Sequence, residues 1–453
     1  MATPFDMNYF LAFGFIGLCI FIGVFLRAKI KLFQRFLVPA CLIGGLFGMA
    51  VVNLGLIPLN IELFQGIAYH FFIISFISIG LTREEKKPGE TGQGREVLRG
   101  GLWMGLINGL SMTTQALLGS LLALGLAWVG VKVPLQFGLF LPLGFTQGPG
   151  QALVVGKVWE AGGFTDAVTL GLAFAAIGFF FALFLGVPLI NWGVKKGYSS
   201  LGREELPGYF RRGFYSALEP KEPAGVMTTH TGNVDALAFQ ASAVGIVYMI
   251  TYLIYYCFNS LAGSLPEAVW GFFFFFGMVA GILVRTVMQR SGVGHLLDPE
   301  LQTRITSFSV DVLVTATLVA VELSVVWDYI VPLLVVTVAG GLWTTWLIIY
   351  FGRRVGGFGF ERMIAQYGIN TGTVSTGLVL LRVVDPGFKT RVALEVGIYA
   401  LFALPFIMGT MLVIMFAPRW GLGALAQIGI FLGMTLIALT LLKVFKLWGK
   451  RTW

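Results

Sequence analysis

Two polar, glycine-rich stretches interrupt an otherwise apolar chain, and they carry residue types suited to holding a small solute. The first reads Gly144-Phe145-Thr146-Gln147-Gly148-Pro149-Gly150-Gln151. The second begins 224 positions later as Gly368-Ile369-Asn370-Thr371-Gly372-Thr373-Val374-Ser375, followed by Thr376. Hydroxyls and primary amides can coordinate a small hard cation, or an amino-acid headgroup, without a permanent buried charge. Pro149 forbids a continuous helix through the first stretch, and glycine lets backbone approach a ligand closely. A helix broken at such a point exposes N–H groups at one new end and carbonyls at the other. One tip can then offer donors to a carboxylate and oxygens to Na⁺. The solute-binding set expected on this reasoning is Thr146, Gln147, Gly148, Gly150, Gln151, Asn370, Thr371, Gly372, Thr373, Ser375 and Thr376. Thr146, Asn370 and Thr371 are the expected sodium ligands. The competing reading is that Gly144-x-x-x-Gly148 serves close helix packing and the hydroxyls bond only backbone. It leaves unexplained why a polar cluster recurs at the matching place in each half.

The elements that must position these tips follow from composition. Of 453 residues, 57% are hydrophobic and 12% charged, about half the charged share of a water-soluble globule; the chain reads as a polytopic, all-α membrane protein. Its net charge of +9 is dispersed among short loops, which fits membrane orientation better than nucleic-acid affinity. Cys19, Cys41 and Cys257 all lie in apolar segments and imply neither a disulfide frame nor a metal site. Asp6 is the only early charge, so the first apolar segment reads as a retained span and not as a signal peptide. Apolar runs long enough to cross about 30 Å of hydrocarbon fall near 8–26, 36–54, 64–81, 100–129, 164–193, 237–258, 267–288, 306–326, 328–352, 388–416 and 422–446. That makes 11 spans, with re-entrant hairpins at 137–160 and 358–384.

Loop charge tests this parity. With both hairpins re-entrant, every loop cation except Lys132 and Arg419 falls on one side, which the positive-inside rule makes cytoplasmic. The N-terminus is then outside and the C-terminus cytoplasmic, in a cell's inner (cytoplasmic) membrane. The first hairpin dips in from outside and the second from inside. Arms of about ten residues reach roughly 15 Å, near the bilayer midplane. The halves read as two inverted repeats of five transmembrane helices plus one re-entrant hairpin each, at 1–193 and 237–416. A cytoplasmic linker at 194–236, carrying Pro207, Pro220 and Pro223, joins them, and 417–453 adds an extra C-terminal helix and basic tail. At the shared offset Gly144 aligns with Gly368, Gly148 with Gly372, Gly163 with Gly387 and Phe164 with Phe388.

At these residues the sequence resembles the glutamate:sodium symporter family. The similarity runs from Leu141 through Gly163-Phe164-Thr165 to Asn191 and from Tyr367 through Gly387-Phe388 to Ile414, and also covers Pro39–Val52 and Phe76–Leu81. The tip side chains differ: where the family's first loop has a histidine, this one reads Thr146-Gln147-Gly148-Pro149-Gly150. The resemblance implies sodium-coupled symport of glutamate or a related amino acid or organic anion by alternating access. It also implies Na⁺ as coupling ion, a lipid bilayer as surroundings, a homodimer as assembly and no enzymatic activity.

Glu322, Asp311 and Glu395 fall in or near predicted spans, with Glu322 the deepest; an ionisable group there is costly and often functional. A proton-coupled carboxylate carrier, the leading alternative, would use such an acid. A channel and an intramembrane enzyme are more distant alternatives, and the chain has no His-Glu-x-x-His motif. Arg362 and Arg382, on the arms of the second hairpin, could fork onto a solute carboxylate, but snorkelling to the inner surface is the preferred reading. His70 and His295 read as structural, and Phe272–Phe276 as lipid-facing or interfacial.

Overall fold

The computed structural model describes residues 7–82, 94–201, 208–219, 221, 223–230, 232–262, 267–386, 389–417 and 420–453. Asp6, Arg83, Pro207, Pro220, the Gly387-Phe388 pair and Arg419 lie outside them. Every regular element among the described residues is helical. In chain order they are α1 (Asn8–Lys29), α2 (Lys31–Arg35), α3 (Ala40–Asn53), α4 (Ile61–Leu81), α5 (Gly94–Trp128), α6 (Leu135–Pro142), α7 (Pro149–Ala161), α8 (Ala167–Phe184), α9 (Gly186–Lys195) and α10 (Gly208–Arg212). There follow α11 (Ala236–Ala262), α12 (Phe273–Arg290), α13 (Pro299–Val319), α14 (Leu323–Asp328), α15 (Ile330–Gly352), α16 (Gly359–Thr371), α17 (Val374–Val384), α18 (Val392–Phe416) and α19 (Ala424–Val444).

Among the described residues, 9 helices have the length and hydropathy to cross a bilayer. The two remaining expected spans take other forms. Helix α3 has 14 residues, about 21 Å of rise and short of the hydrocarbon thickness. Helix α13 is long enough but carries Glu300, Arg304 and Asp311. It also stops at Val319, so Glu322 does not sit deep in a span as the sequence predicts. The residue occupies the N-cap position of the short α14 and is half-buried.

The helices gather into two compact units, and each draws on both halves of the sequence. One holds α1, α3, α4, α11, α12 and α13; the other holds α2, α5 to α9 and α14 to α19. In the first, Ile73, Ile77, Val247 and Phe273 form the core. Phe272, Phe273 and Phe274 are buried there, contrary to a lipid-facing or interfacial reading of the whole run, whereas Phe275 is half-buried and Phe276 exposed. Aromatic neighbours hold them: Phe274 meets Phe72 and Phe76 at 5.3 and 4.8 Å, and Phe273 meets Trp270 at 5.5 Å. His70 shares a 2.8 Å hydrogen bond with the Tyr248 hydroxyl, a packing role.

The second unit is built on α5, whose Gly101, Gly105 and Gly109 repeat at the spacing of one helical face. A Cβ added to Gly105 would lie 2.7 Å from the Tyr399 carbonyl and 2.9 Å from the Ala403 nitrogen. Backbone therefore meets backbone between α5 and α18, the small-residue packing that replaces hydrophobic drive inside lipid. Gly105→Leu should force α5 and α18 apart at a cost of at least about 1–3 kcal/mol. A thermal unfolding midpoint in detergent equal to that of the parent protein would contradict this packing.

Candidate functional site

The second unit contains two helix pairs that are broken where the polar stretches fall. The first is α6, a wide π-helical turn over Leu143–Gln147, then α7; the second is α16 followed by α17. The two helix pairs run over 135–161 and 359–384. At the first break Gly148 has φ 82° and ψ −178°, a backbone region open essentially to glycine alone. Pro149 then starts α7, a position that suits a residue without an N–H. At the second break Thr373 is extended and caps α17, its hydroxyl accepting from the Thr376 N–H at 3.3 Å.

The two breaks touch. A Cβ on Gly148 would sit 3.0 Å from Thr373 Cγ2 and 3.3 Å from the Gly372 carbonyl oxygen. The starts of α7 and α17 thus meet, each with first-turn N–H groups that have no carbonyl one turn back to bond. The same contact brings in the carbonyl ends of the π-helical turn and of α16. The site combines two partial positive and two partial negative helix ends with no ionisable side chain in either tip. Helix α8 backs it: a Cβ on Gly178 would lie 2.8 Å from the Thr371 carbonyl oxygen and 3.5 Å from that of Gly144.

Side chains extend this junction into a buried seam on α5. The Thr146 hydroxyl donates to Gln115 Oε1 at 2.7 Å. Gln115 Nε2 in turn donates to Thr344 Oγ1 at 2.8 Å and to the Asn370 carbonyl at 3.2 Å. Asn108 Nδ2 donates to Asn370 Oδ1 at 2.7 Å. One residue of α5, Gln115, therefore ties the first tip to the second. Of the predicted residues, Thr146 and Asn370 enter this network directly. The Thr371 hydroxyl turns back to the Tyr367 carbonyl at 2.7 Å, leaving only the Thr371 main-chain carbonyl to face α8. Gln147 Nε2 reaches Met112 Sδ at 3.5 Å. Gly150 and Gly372 are buried backbone, whereas Ser375 stands exposed.

Several buried amide atoms here have no partner. They are both polar atoms of Gln151, both of Gln366, Asn370 Nδ2 and Asn108 Oδ1. Gln366 lies one turn before Asn370 on α16 and is fully buried. Leaving a buried amide group unpaired costs about 1–3 kcal/mol, so these atoms are suited to a ligand that both donates and accepts. None of Asn108, Gln115, Thr344 and Gln366 is singled out by the sequence reading. The available signal was the spacing of Asn108, Ser111 and Gln115, which puts three polar side chains on one face of an apolar helix.

The base of the second hairpin is fixed by charge. Arg362 is 5% exposed, and its Nε and Nη2 donate to the two carboxylate oxygens of the fully buried Glu395, each at 2.6 Å. Arg391 adds a 3.3 Å contact to Glu395 and pairs with Glu96. The preferred sequence reading of Arg362 as a snorkelling residue is thus corrected: a buried fork is stronger than an arm stretched to water. Arg382 is exposed with its guanidinium 5.8 Å from the Phe210 ring centre. Glu361, next to Arg362, accepts from the Ser200 N–H at 2.7 Å. Trp453 closes the base, 5.7 Å from Phe360 and 5.0 Å from the Arg353 guanidinium.

These contacts collect Arg353, Arg362, Arg391 and, through Arg99 bonding the Lys446 carbonyl at 2.9 Å, the start of α5 and the end of α19 at one end of the unit. The first hairpin starts at Pro134, just beyond the other end of α5. The two broken helix pairs therefore start near opposite ends of the unit.

Apolar helices carrying two broken hairpins, tip to tip over a neutral buried seam, make up a helical membrane transporter. A family model described as Sodium/glutamate symporter matches residues 5–365. The chain belongs to that family, which is one of transporters and not of enzymes. No individual curated protein matches it. The matched stretch contains the whole first tip and ends within α16, so Gly368–Thr376 lies beyond it.

Arg362→Met should cost about 3–5 kcal/mol, because it strips the main partner from a buried carboxylate. The double variant Arg362→Met/Glu395→Leu should recover most of that loss. Urea titration of both in detergent makes the comparison, and an unrecovered double variant would contradict the closed pair.

Proposed function

We propose that the junction of the two tips is the solute and ion site of a sodium-coupled symporter for glutamate or a related amino acid or organic anion. The observation that carries this reading is the meeting of Gly148 with Gly372 and Thr373. It brings two helix N-termini, which favour a carboxylate, beside broken carbonyl ends, which favour Na⁺. In this reading the solute's carboxylate takes the free N–H groups at the starts of α7 and α17, near Gly150, Gln151 and Ser375. Thr146, Asn370 and Thr371 supply neutral oxygens to sodium, and the unpartnered amides of Gln151 and Asn370 complete the solute's contacts. Gln147, Gly372, Thr373 and Thr376 shape the walls.

Alternating access is the proposed cycle, with the unit carrying both tips moving as one body. The division of helices, which takes corresponding elements from each half, supports the inverted repeats at 1–193 and 237–416. The start of the two broken helix pairs near opposite ends of the unit supports a first hairpin open to the outside and a second open to the cytoplasm. The cation-rich end of the second unit supports a cytoplasmic C-terminus and an outside N-terminus in the inner membrane. A homodimer is the proposed assembly.

Proteoliposome counterflow with acidic and neutral amino acids, with and without a sodium gradient, tests the reading. Sodium-dependent, saturable uptake of an acidic solute is expected. Failure of every gradient to drive any carboxylate solute would sink it. Thr146→Val and Asn370→Leu should each weaken apparent solute or sodium affinity about tenfold, the worth of one hydrogen bond or slightly more. Undiminished protein in the membrane distinguishes this from misfolding, and unchanged affinities would make the tips packing elements.

A further inference from the structure

The second unit has a recess at its cation-rich end that the proposed transport cycle does not use. Its volume is about 310 Å³. Arg35 and Phe36, at the end of α2, form one wall; Val187, Pro188, Asn191, Trp192 and Lys195, along α9, form the other. Pro188, Asn191, Trp192 and Lys195 are all exposed and share one face of α9, while Val187, Ile190 and Gly193 are buried on the opposite face. Helix α9 is thus amphipathic, with a tryptophan and a lysine on its outer face as a helix at a membrane surface requires.

Charge in the recess is of one sign. No acidic side chain lines it, and neither Arg35 nor Lys195 has an acidic partner among the described residues. A third cation stands close, with the Arg353 guanidinium 5.6 Å from the Trp192 ring. Cations grouped without counter-charge in a concave site attract an anion strongly. An apolar track leads away from them. Phe36 packs on Phe184 at 4.8 Å, and Phe184 stacks on Phe180 at 5.6 Å. Phe180 is itself 43% exposed and lies on α8, one of the helices apolar enough to span the bilayer.

We propose that this recess binds an anionic phospholipid, its phosphate between Arg35 and Lys195 and an acyl chain along Phe36, Phe184 and Phe180. Asn191 can donate to a further headgroup oxygen, and Trp192 sits at the headgroup level. The bound lipid joins α2 to α9, two short helices that otherwise share little surface. Inorganic phosphate offers the same anionic oxygens but has no use for the aromatic track, which is why a lipid is the favoured source.

Native mass spectrometry of the detergent-purified full chain provides the test. Phosphatidylglycerol, phosphatidylcholine and inorganic phosphate are titrated separately onto the parent protein, Arg35→Gln/Lys195→Gln, Lys195→Glu and Phe180→Gln. Phosphatidylglycerol should bind the parent protein and lose about thirtyfold in affinity in the double-cation variant, about fivefold for each cation near an anionic lipid. Lys195→Glu should lose at least as much, phosphatidylcholine should not respond, and Phe180→Gln should weaken phosphatidylglycerol alone. Higher salt should weaken the same binding. Equal phosphatidylglycerol affinity in the parent and in the cation variants would overturn the proposal. So would inorganic phosphate binding with the same cation dependence while Phe180→Gln has no effect, which would make the recess a soluble-anion site.

Discussion

Backbone polar groups within a bilayer must find partners inside the protein, and this chain breaks two helices inside a buried interior, where that demand also holds. Each break frees N–H and carbonyl groups that an unbroken helix would have satisfied. The second unit is arranged around containing them. Close approach of α8 at Gly178, the extended cap at Thr373 and the glycine-only geometry at Gly148 bring the two breaks against each other. Each tip then shields the other, and the groups left over face a shared interior.

Charge is kept out of that interior and used at its edge. The tips contain hydroxyls, amides and backbone only, whereas Arg362, Glu395, Arg391 and Glu96 form a compensated cluster at the base of the second hairpin. A permanent charge buried at the tips would carry a desolvation cost that hydroxyls and amides avoid. At the base, the same charges hold the hairpin arm against α18, and a Cβ on Gly100 would lie only 2.0 Å from the Glu395 carboxyl carbon. Removal of a side chain from α5 is what lets the carboxylate reach Arg362.

Membership of the sodium/glutamate symporter family rests on residues 5–365, while half of the junction lies beyond them. What unites the matched and unmatched parts is physical: Gln115, inside the matched stretch, bonds both Thr146 and the Asn370 carbonyl. The first tip and the second are therefore one site, held by a single amide on a helix common to both.

Much of this was legible in the sequence. The helical class and the helix breaks at the polar stretches follow from local signals, because apolar length, proline and glycine act on neighbouring residues. Side-chain pairing across the fold is different in kind. Whether Arg362 snorkels or pairs depends on Glu395, 33 positions away, and whether Phe273 meets lipid or Tyr255 depends on how α11 and α12 pack. Glu322 reads as deep in a span until α13 ends early. By itself the sequence determined where the chain must break and which atoms the breaks would offer, since those are properties of the backbone and its immediate side chains. Only the tertiary structure decided that the breaks meet, that Gln115 bridges them and that the hairpin's charge is buried in a pair, because each is a contact between helices whose register no local pattern encodes.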